Sequence, residues 1–355
     1  MPTFRRGEVL RILEARAGLQ RVEVDLADGP ARAYVLTALT GEVAVGERVI
    51  VNTTAVELGL GTGGWHVVHW SLDREEFVAP GPGHIMKLRY TSLQADTGSA
   101  EEFHPALVDA DDLGGMPVLH VPLHSQLPAA VLGVRSVRPD ARIAYVMTDG
   151  AALPLALSDL VAALRERSLI DTTVTAGHAF GGDLEAVSAA AALLAARVAA
   201  RADVAIVAMG PGIVGTGSRF GHTGVEAATW LSIAADLGGV PVAALRVSFA
   251  DPRERHRGVS HHTATALGRL GSTRATVVVP AIGGDEQTRI LADLDTSGIA
   301  ARHEIVTGAA PDVLGAFAAH GLTVGSMGRP ASADPVLFLA AGAAGAYAAT
   351  RIPAP

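Results

Sequence analysis

The sequence predicts an α/β protein: a small N-terminal β-barrel followed by a doubly wound, Rossmann-like, mostly parallel sheet. Three observations carry this. Residues 1–70 are short, partly alternating segments punctuated by turn residues, as in a small, strongly bent barrel. From residue 116 onward, continuous apolar runs of strand length alternate with Ala/Leu-rich runs of helix length, as in βα units around a sheet buried on both faces. The composition of the 355 residues, 49% apolar, 18% charged and 4% aromatic with 40 glycines, suits an Ala/Val/Leu-packed globular fold and not a disordered chain.

Taken in order, the barrel is read from "GEVLRILEA", "LQRVEVDLA", "ARAYVLTAL" and "ERVIVNTT", with turns at "ADGP" and "VAVGERV". Its seven arginines against eight acidic residues give no basic footprint, so a docking or lid module is as good a reading as an RNA-binding one. Residues 71–115 form a linker with a Gly/Pro hinge, "APGPGH", and then "GHIMKLRYTS". That stretch holds Lys87, the single lysine against 27 arginines, while the single asparagine, Asn52, lies in "VNTTAVELGLGTGG". The solitary lysine reads either as a chance of composition in an arginine-rich chain or, since a compact, titratable ammonium differs from an always-charged planar fork, as a place where arginine does not serve. Alternation there would turn Lys87 and Arg89 one way, toward the crevice of the following domain, with Met86 and Leu88 packed inward.

Residues 116–355 form the α/β domain. Its strands are read at "MPVLHVPL", "ARIAYVMTDG", "DTTVTAGH", "ADVAIVAMG", "VPVAALRVSFAD", "ATVVVPA" and "ARHEIVTG". Polar and glycine-rich signals recur at the carboxyl ends of these strands, where open parallel sheets form their ligand crevice.

Several classes are excluded or disfavoured. The formal charge of −8 gives no general attraction to nucleic acid or anionic membranes, and no nucleic-acid partner is expected. The absence of cysteine removes disulfides, thiolate metal sites and cysteine nucleophiles. The charged N-terminus does not read as a signal peptide, and the apolar run "PVLFLAAGAAGAYAA" is short of a membrane span, so a cytoplasmic protein without membrane partners is expected.

Four constellations carry the candidate chemistry. In "MGPGIVGTGSRFGHTG" a strand runs into Gly210, Gly212, Gly215, Thr216 and Gly217 before a helix, a loop that exposes backbone N–H groups to an anion. It lacks the lysine of a phosphate-binding P-loop, and no other signal accompanies it to support NAD or flavin. "TAGHAFGGDLEA" places His178 on a strand-end loop, with Asp183 and Glu185 in a first helical turn. His178 and Asp183 are candidates for acid/base work or for a divalent metal, although Asp183 reads equally well as a helix cap. "FADPRERHRGVSHHT" supplies Arg253 and Arg255 as anion forks and Ser260, His261 and His262 at a helix mouth. Asp149 in "TDGAALP" is either a catalytic carboxylate or a turn former.

The motifs "NTTAVELGLGTGG", "GHIMKLRYTSLQ", "AGHAFGGDLEA", "GPGIVGTG" and "SFADPRERHRGVSHHT" together resemble the bacterial family catalogued as domain of unknown function 3866, which is found in actinobacteria and Gram-positive relatives. The resemblance implies one shared site and transfers no activity, cofactor or catalytic residue.

The leading expectation is therefore a hydrolase or group transferase for a small anionic or phosphorylated metabolite. Gly210, Gly212, Gly215, Thr216, Gly217, Arg253, Arg255, Ser260 and His262 would bind the ligand. His178, Asp149, Asp183, Lys87 and His261 would serve catalysis. The alternatives are a ligand sensor or docking module for protein or RNA, and a structural assembly protein, such as a homodimer, with no ligand.

Overall fold

The structure is a computed structural model that describes residues 1–354, in two compact units, Met1–Gly98 and Ser99 onward. The first unit contains a closed five-stranded barrel of β1 (Phe4–Arg16), β2 (Leu19–Leu26), β3 (Gly29–Val35), β4 (Arg48–Asn52) and β5 (Trp65–Ser71), ordered β1-β2-β3-β5-β4. Alternation sets its core: Val22, Val24, Ala33, Val35, Val49 and Val51 all point inward and are fully buried. Closure depends on the length of β1, whose first part pairs with β4 and whose remainder pairs with β2 through two register irregularities that bend the strand. Gly7 lies in the part paired with β4, where a Cβ would stand 2.8 Å from the Asp25 carbonyl oxygen. The solitary Asn52 ends β4 as a turn former, its Oδ1 accepting from the Thr54 N–H at 3.1 Å and the Thr54 hydroxyl at 2.6 Å.

The segment around Lys87 belongs to this unit and corrects the expected orientation. β6 (Met86–Lys87) pairs with β7 (Ala95–Asp96), and Lys87 is 1% exposed while Met86 is 43% exposed. The inversion has a local cause: Leu88 and Tyr90 take positive φ values of 51° and 61°, so the chain turns at once and no run of alternating strand exists.

The second unit starts at Ser99, whose N–H donates to Glu102 Oε2 at 2.8 Å in a capping box, so residues 99–115 join the α/β unit. Its sheet uses β8 (Pro117–His120), β9 (Ile143–Thr148), β10 (Thr172–Ala176), β11 (Leu184–Ala186), β12 (Val204–Met209), β13 (Val240–Ala243), β16 (Thr276–Pro280) and β17 (Glu304–Gly308). The order is β11-β10-β9-β12-β8-β13-β16-β17 with every pairing parallel; β14 (Val247–Ser248) and β15 (Gly258–Val259) form a separate hairpin. The strands read as apolar runs because both faces are covered. Helices Leu127–Val137 and Pro335–Thr350 pack on one face, and Ala189–Leu194 and Glu226–Asp236 on the other.

Helix Pro335–Thr350, the late apolar stretch, is buried nearly all round and lies against Leu127–Val137 through glycines; a Cβ on Gly345 would stand 2.1 Å from the Ala130 carbonyl oxygen. No described helix is long and apolar enough to cross a membrane. The chain leaves β8 toward β9 and leaves β12 toward β13, in opposite directions along the sheet, so the topological switch falls at the carboxyl ends of β12 and β8.

Candidate functional site

The carboxyl ends of the adjacent strands β12, β8 and β13 present the Gly210–His222 loop, His120 and Arg246. The helix His261–Arg269 is aimed at the same place. Ser260 caps it, its hydroxyl accepting from the His262 N–H at 3.3 Å and meeting His256 Nδ1 at 2.7 Å, so Ser260 itself is fully buried as a positioning group. The cap places His261 and His262 in the first turn. His262 stacks on His222 with ring centroids 3.8 Å apart and planes at 11°, His261 meets His262 at 4.3 Å, and His256 lies 4.9 Å from His261. Four imidazoles thus form one cluster. His120, Gly224 and His262 share a water-sized cavity beneath it.

Arg246 is the cation at the centre. Its side chain is 3% exposed, and Nη1 donates to His262 Nδ1 at 2.9 Å. The carboxylate acting on it is Asp251, but both Asp251 oxygens are held by Arg253, through Nε at 2.9 Å and Nη2 at 2.8 Å. Among the described residues Arg246 has no ion-pair partner of its own. Burial, reinforced by Arg253, pushes its pKa down to about 10.

The same environment holds the histidines neutral. Burial, followed by the charges of Arg246 and Arg253, pushes His256 down to about 3. Burial and His222, then Arg255, take His261 to about 4, and burial with Arg246 takes His262 to about 2. His222 is 5% exposed and lowered by burial, against a hydrogen bond to the Arg219 backbone, and among the described residues His261 Nε2 has no partner. Buried imidazoles with unfilled hydrogen-bonding capacity around an uncompensated guanidinium make a positive, incompletely satisfied cluster.

The nitrogens of His222, His261 and His262 lie within 4.8 Å of one another, close enough to raise the question of a metal ion. Two features oppose it. A ligating imidazole holds the ion in its ring plane, and the His222 and His262 planes are nearly parallel. Accepting from Arg246 also fixes the neutral His262 proton on Nε2, which makes that nitrogen a donor.

A second feature adjoins the cluster through Gly224. Asp149, Thr223, Glu226, Ser232 and Gly271 line an open cleft of about 740 Å3. Burial pushes the Glu226 carboxyl up to about 7, against a 2.7 Å hydrogen bond donated by Thr148 Oγ1 and with help from the Asp149 charge.

Of the expected residues, Ser260, His261 and His262 meet at the cluster. Arg255 is exposed, has no partner among the described residues, and its Nη1 lies 3.4 Å from where a Gly217 Cβ would be, which brings the arginine arm to the glycine loop. Arg253 is a clamp on Asp251 instead of a free anion fork. The glycine loop closes largely on itself: Gly215 bridges His222, the Thr216 N–H donates to the Gly221 carbonyl at 2.7 Å, and the helix begins only at Glu226. Gly212 and Gly217 have φ of 99° and 82°, and Gly210 is required where a Cβ would stand 2.4 Å from the Ala152 oxygen.

Asp183 and Glu185 are not in a helical turn. They enter β11, where Asp183 Oδ1 accepts from Arg165 at 2.7 Å and Oδ2 from the Thr173 N–H and hydroxyl at 2.9 Å, while Glu185 accepts from Thr175 at 2.6 Å. Asp183 is a staple between β10 and β11, so neither the acid/base nor the metal role suits it. His178 is half-buried in the preceding turn and donates its backbone N–H to Asp149 Oδ2 at 3.1 Å. Among the described residues, His178 and Asp183 join no group of metal-ligating side chains. Lys87 belongs to the barrel unit, buried as described above.

Arg246, His222 and Glu226 carry no role in the sequence expectations, and His256 enters there only as a member of the "FADPRERHRGVSHHT" motif. Arg246 had a visible signal, a lone cation inside the apolar run "VPVAALRVSF", and His222 sits in the glycine motif itself. No curated protein and no solved structure matches the chain. One family model does, over residues 32–345, and the chain belongs to that family, described as protein of unknown function (DUF3866).

Proposed function

We propose that the α/β unit is an enzyme, a hydrolase or group transferase, that binds a small oxyanionic metabolite, best a phosphorylated one, at the cluster of Arg246 with His222, His261 and His262. The observation that carries this is Arg246: a buried guanidinium whose neighbouring carboxylate is already taken leaves a charge that a ligand anion would satisfy. The glycine loop and Arg255 close one side. Glu226, poised near neutrality beside Asp149, is the acid/base candidate and the reason to favour catalysis over sensing alone. With Asp183 a staple, the expected acid/base pairing moves to Glu226 and Asp149, and no step requires a metal. The arginine-for-lysine composition suits an actinobacterial source, and the −8 formal charge suits the cytoplasm.

The test is calorimetry and thermal unfolding with inorganic phosphate at constant ionic strength. Phosphate is expected to bind and raise Tm by mass action, and Arg246→Met to abolish both effects. Failure of phosphate, phosphomonoesters and carboxylates alike to bind would refute the reading.

A further inference from the structure

His261 has two faces. One joins the histidine cluster; the other lines a separate surface pocket of about 240 Å3 with Arg219, Ala264, Thr265, Arg269 and Ser297. That lining is basic and contains no acidic residue. Arg219 and Arg269 are both exposed, and neither guanidinium has an ion-pair or hydrogen-bond partner among the described residues. Several arginines elsewhere in the unit are committed to carboxylates: Arg165 to Asp183, Arg135 to Asp171, Arg289 to Asp293 and Arg253 to Asp251.

Helix geometry aligns the two sites. His261, Thr265 and Arg269 are four residues apart, so they share one face of the helix, and eight residues at 1.5 Å each set the two ends about 12 Å apart along its axis. The flexible arms of Arg219, from the glycine loop, and Arg269, from the last helical turn, shorten the span that a ligand must cover. The helix thus carries a buried anion site at its first turn and an open cationic pocket along its flank, with His261 as the shared wall.

We propose that the ligand of this site carries two separated anionic groups, a bisphosphate or a chemically equivalent bis-anion, one held by Arg246 and the histidine cluster and the other by Arg219 and Arg269. The proposal rests on the oxyanion reading above and extends it from one group to two. Tethered groups bind far more tightly than either alone when their spacing matches, because the second contact forms within one molecule. A monophosphate would fill only the inner site, leaving the two outer arginines in water.

The experiment compares butanediol bisphosphate with butyl phosphate, hexanediol bisphosphate with hexyl phosphate, and inorganic phosphate, by calorimetry at fixed ionic strength. The proteins are the full chain, the Arg219→Ala/Arg269→Ala double variant and Arg246→Met. At least one bisphosphate is expected to bind about tenfold or more tightly than its monophosphate partner to the full chain. The double variant is expected to lose that advantage while binding inorganic phosphate unchanged; Arg246→Met is expected to lose phosphate altogether. If phosphate binds but neither bisphosphate gains over its partner, or the gain survives in the double variant, the second site is refuted and the inner site stands. If inorganic phosphate, the alkyl phosphates and the bisphosphates all fail to bind, the second site falls, and failure of carboxylates as well brings down the oxyanion reading with it.

Discussion

Replacing Arg246 by methionine separates a residue kept for a ligand from one kept for stability. The buried guanidinium is pushed from an ordinary 12.5 to about 10, and at about 1.4 kcal/mol per unit its charge costs the native state roughly 3 kcal/mol at neutral pH. The sign is simple: folded and unfolded chains are both charged there, so the penalty is present in full. Methionine keeps an unbranched apolar stem and removes the charge, while the lost bond to His262 gives back about 1 kcal/mol. Arg246→Met is therefore expected to be about 2 kcal/mol more stable than the natural chain in urea unfolding, with no phosphate-dependent gain. His256, His261 and His262, each held down partly by Arg246, should titrate closer to the ordinary histidine value, which proton NMR would follow. A variant that is less stable by 1 kcal/mol or more and still binds phosphate would show that Arg246 serves packing, and the reasoning would fail.

Other outcomes follow from the same geometry. Glu226 has a folded-state value of about 7 against 4.5, so the natural chain loses stability as pH rises from 4.5 to 7; Glu226→Gln should remove that loss, gaining about 3 kcal/mol at pH 8 and little at pH 4.5 in urea titrations. His256, His261 and His262 act in the opposite sense: their lowered values mean full stability above pH 6.5, lost as pH falls toward 4. In the Glu226→Gln background, the urea midpoint should therefore drop steadily across that range, and less steeply once Arg246 is also replaced. Gly345→Val should cost about 3 kcal/mol or more, read as a lowered Tm, because its side chain would enter the Ala130 backbone at the helix crossing.

The architecture was legible because strand identity and helix identity are written in periodicity. The Val22/Val24 alternation gives the barrel and the unbroken "VAIVAM" of β12 gives a strand buried on both faces. Lys87 was misread because its strand is two residues long and ends in a positive-φ turn, where alternation has nothing to act on. Asp183 was misread for a similar reason: β11 is three residues, and the alanine-rich helix behind it begins only at Ala189, after its own Ser188 cap. The helix-mouth residues Ser260, His261 and His262 were legible because a cap has a local signature. Arg246 is legible only as a lone cation in an apolar run and Glu226 not at all, since what sets them apart is burial without a counter-ion and burial beside a like charge. Both are properties of the assembled fold.

The helix Pro335–Thr350 has a consequence for the birth of the molecule. It is the last long element of the chain, yet it lies in the main core against Leu127–Val137 and near β16 and β8. Made from the N-terminus, the barrel has all its strands by Ser71 and is free to fold early, whereas one face of the α/β sheet stays incompletely covered until residues 335–350, made after every strand of that sheet, have left the ribosome. During that interval the nascent chain is at its most aggregation-prone, and a chain stopped just before Pro335 would keep every strand of the parallel sheet and lack a helix of its main core.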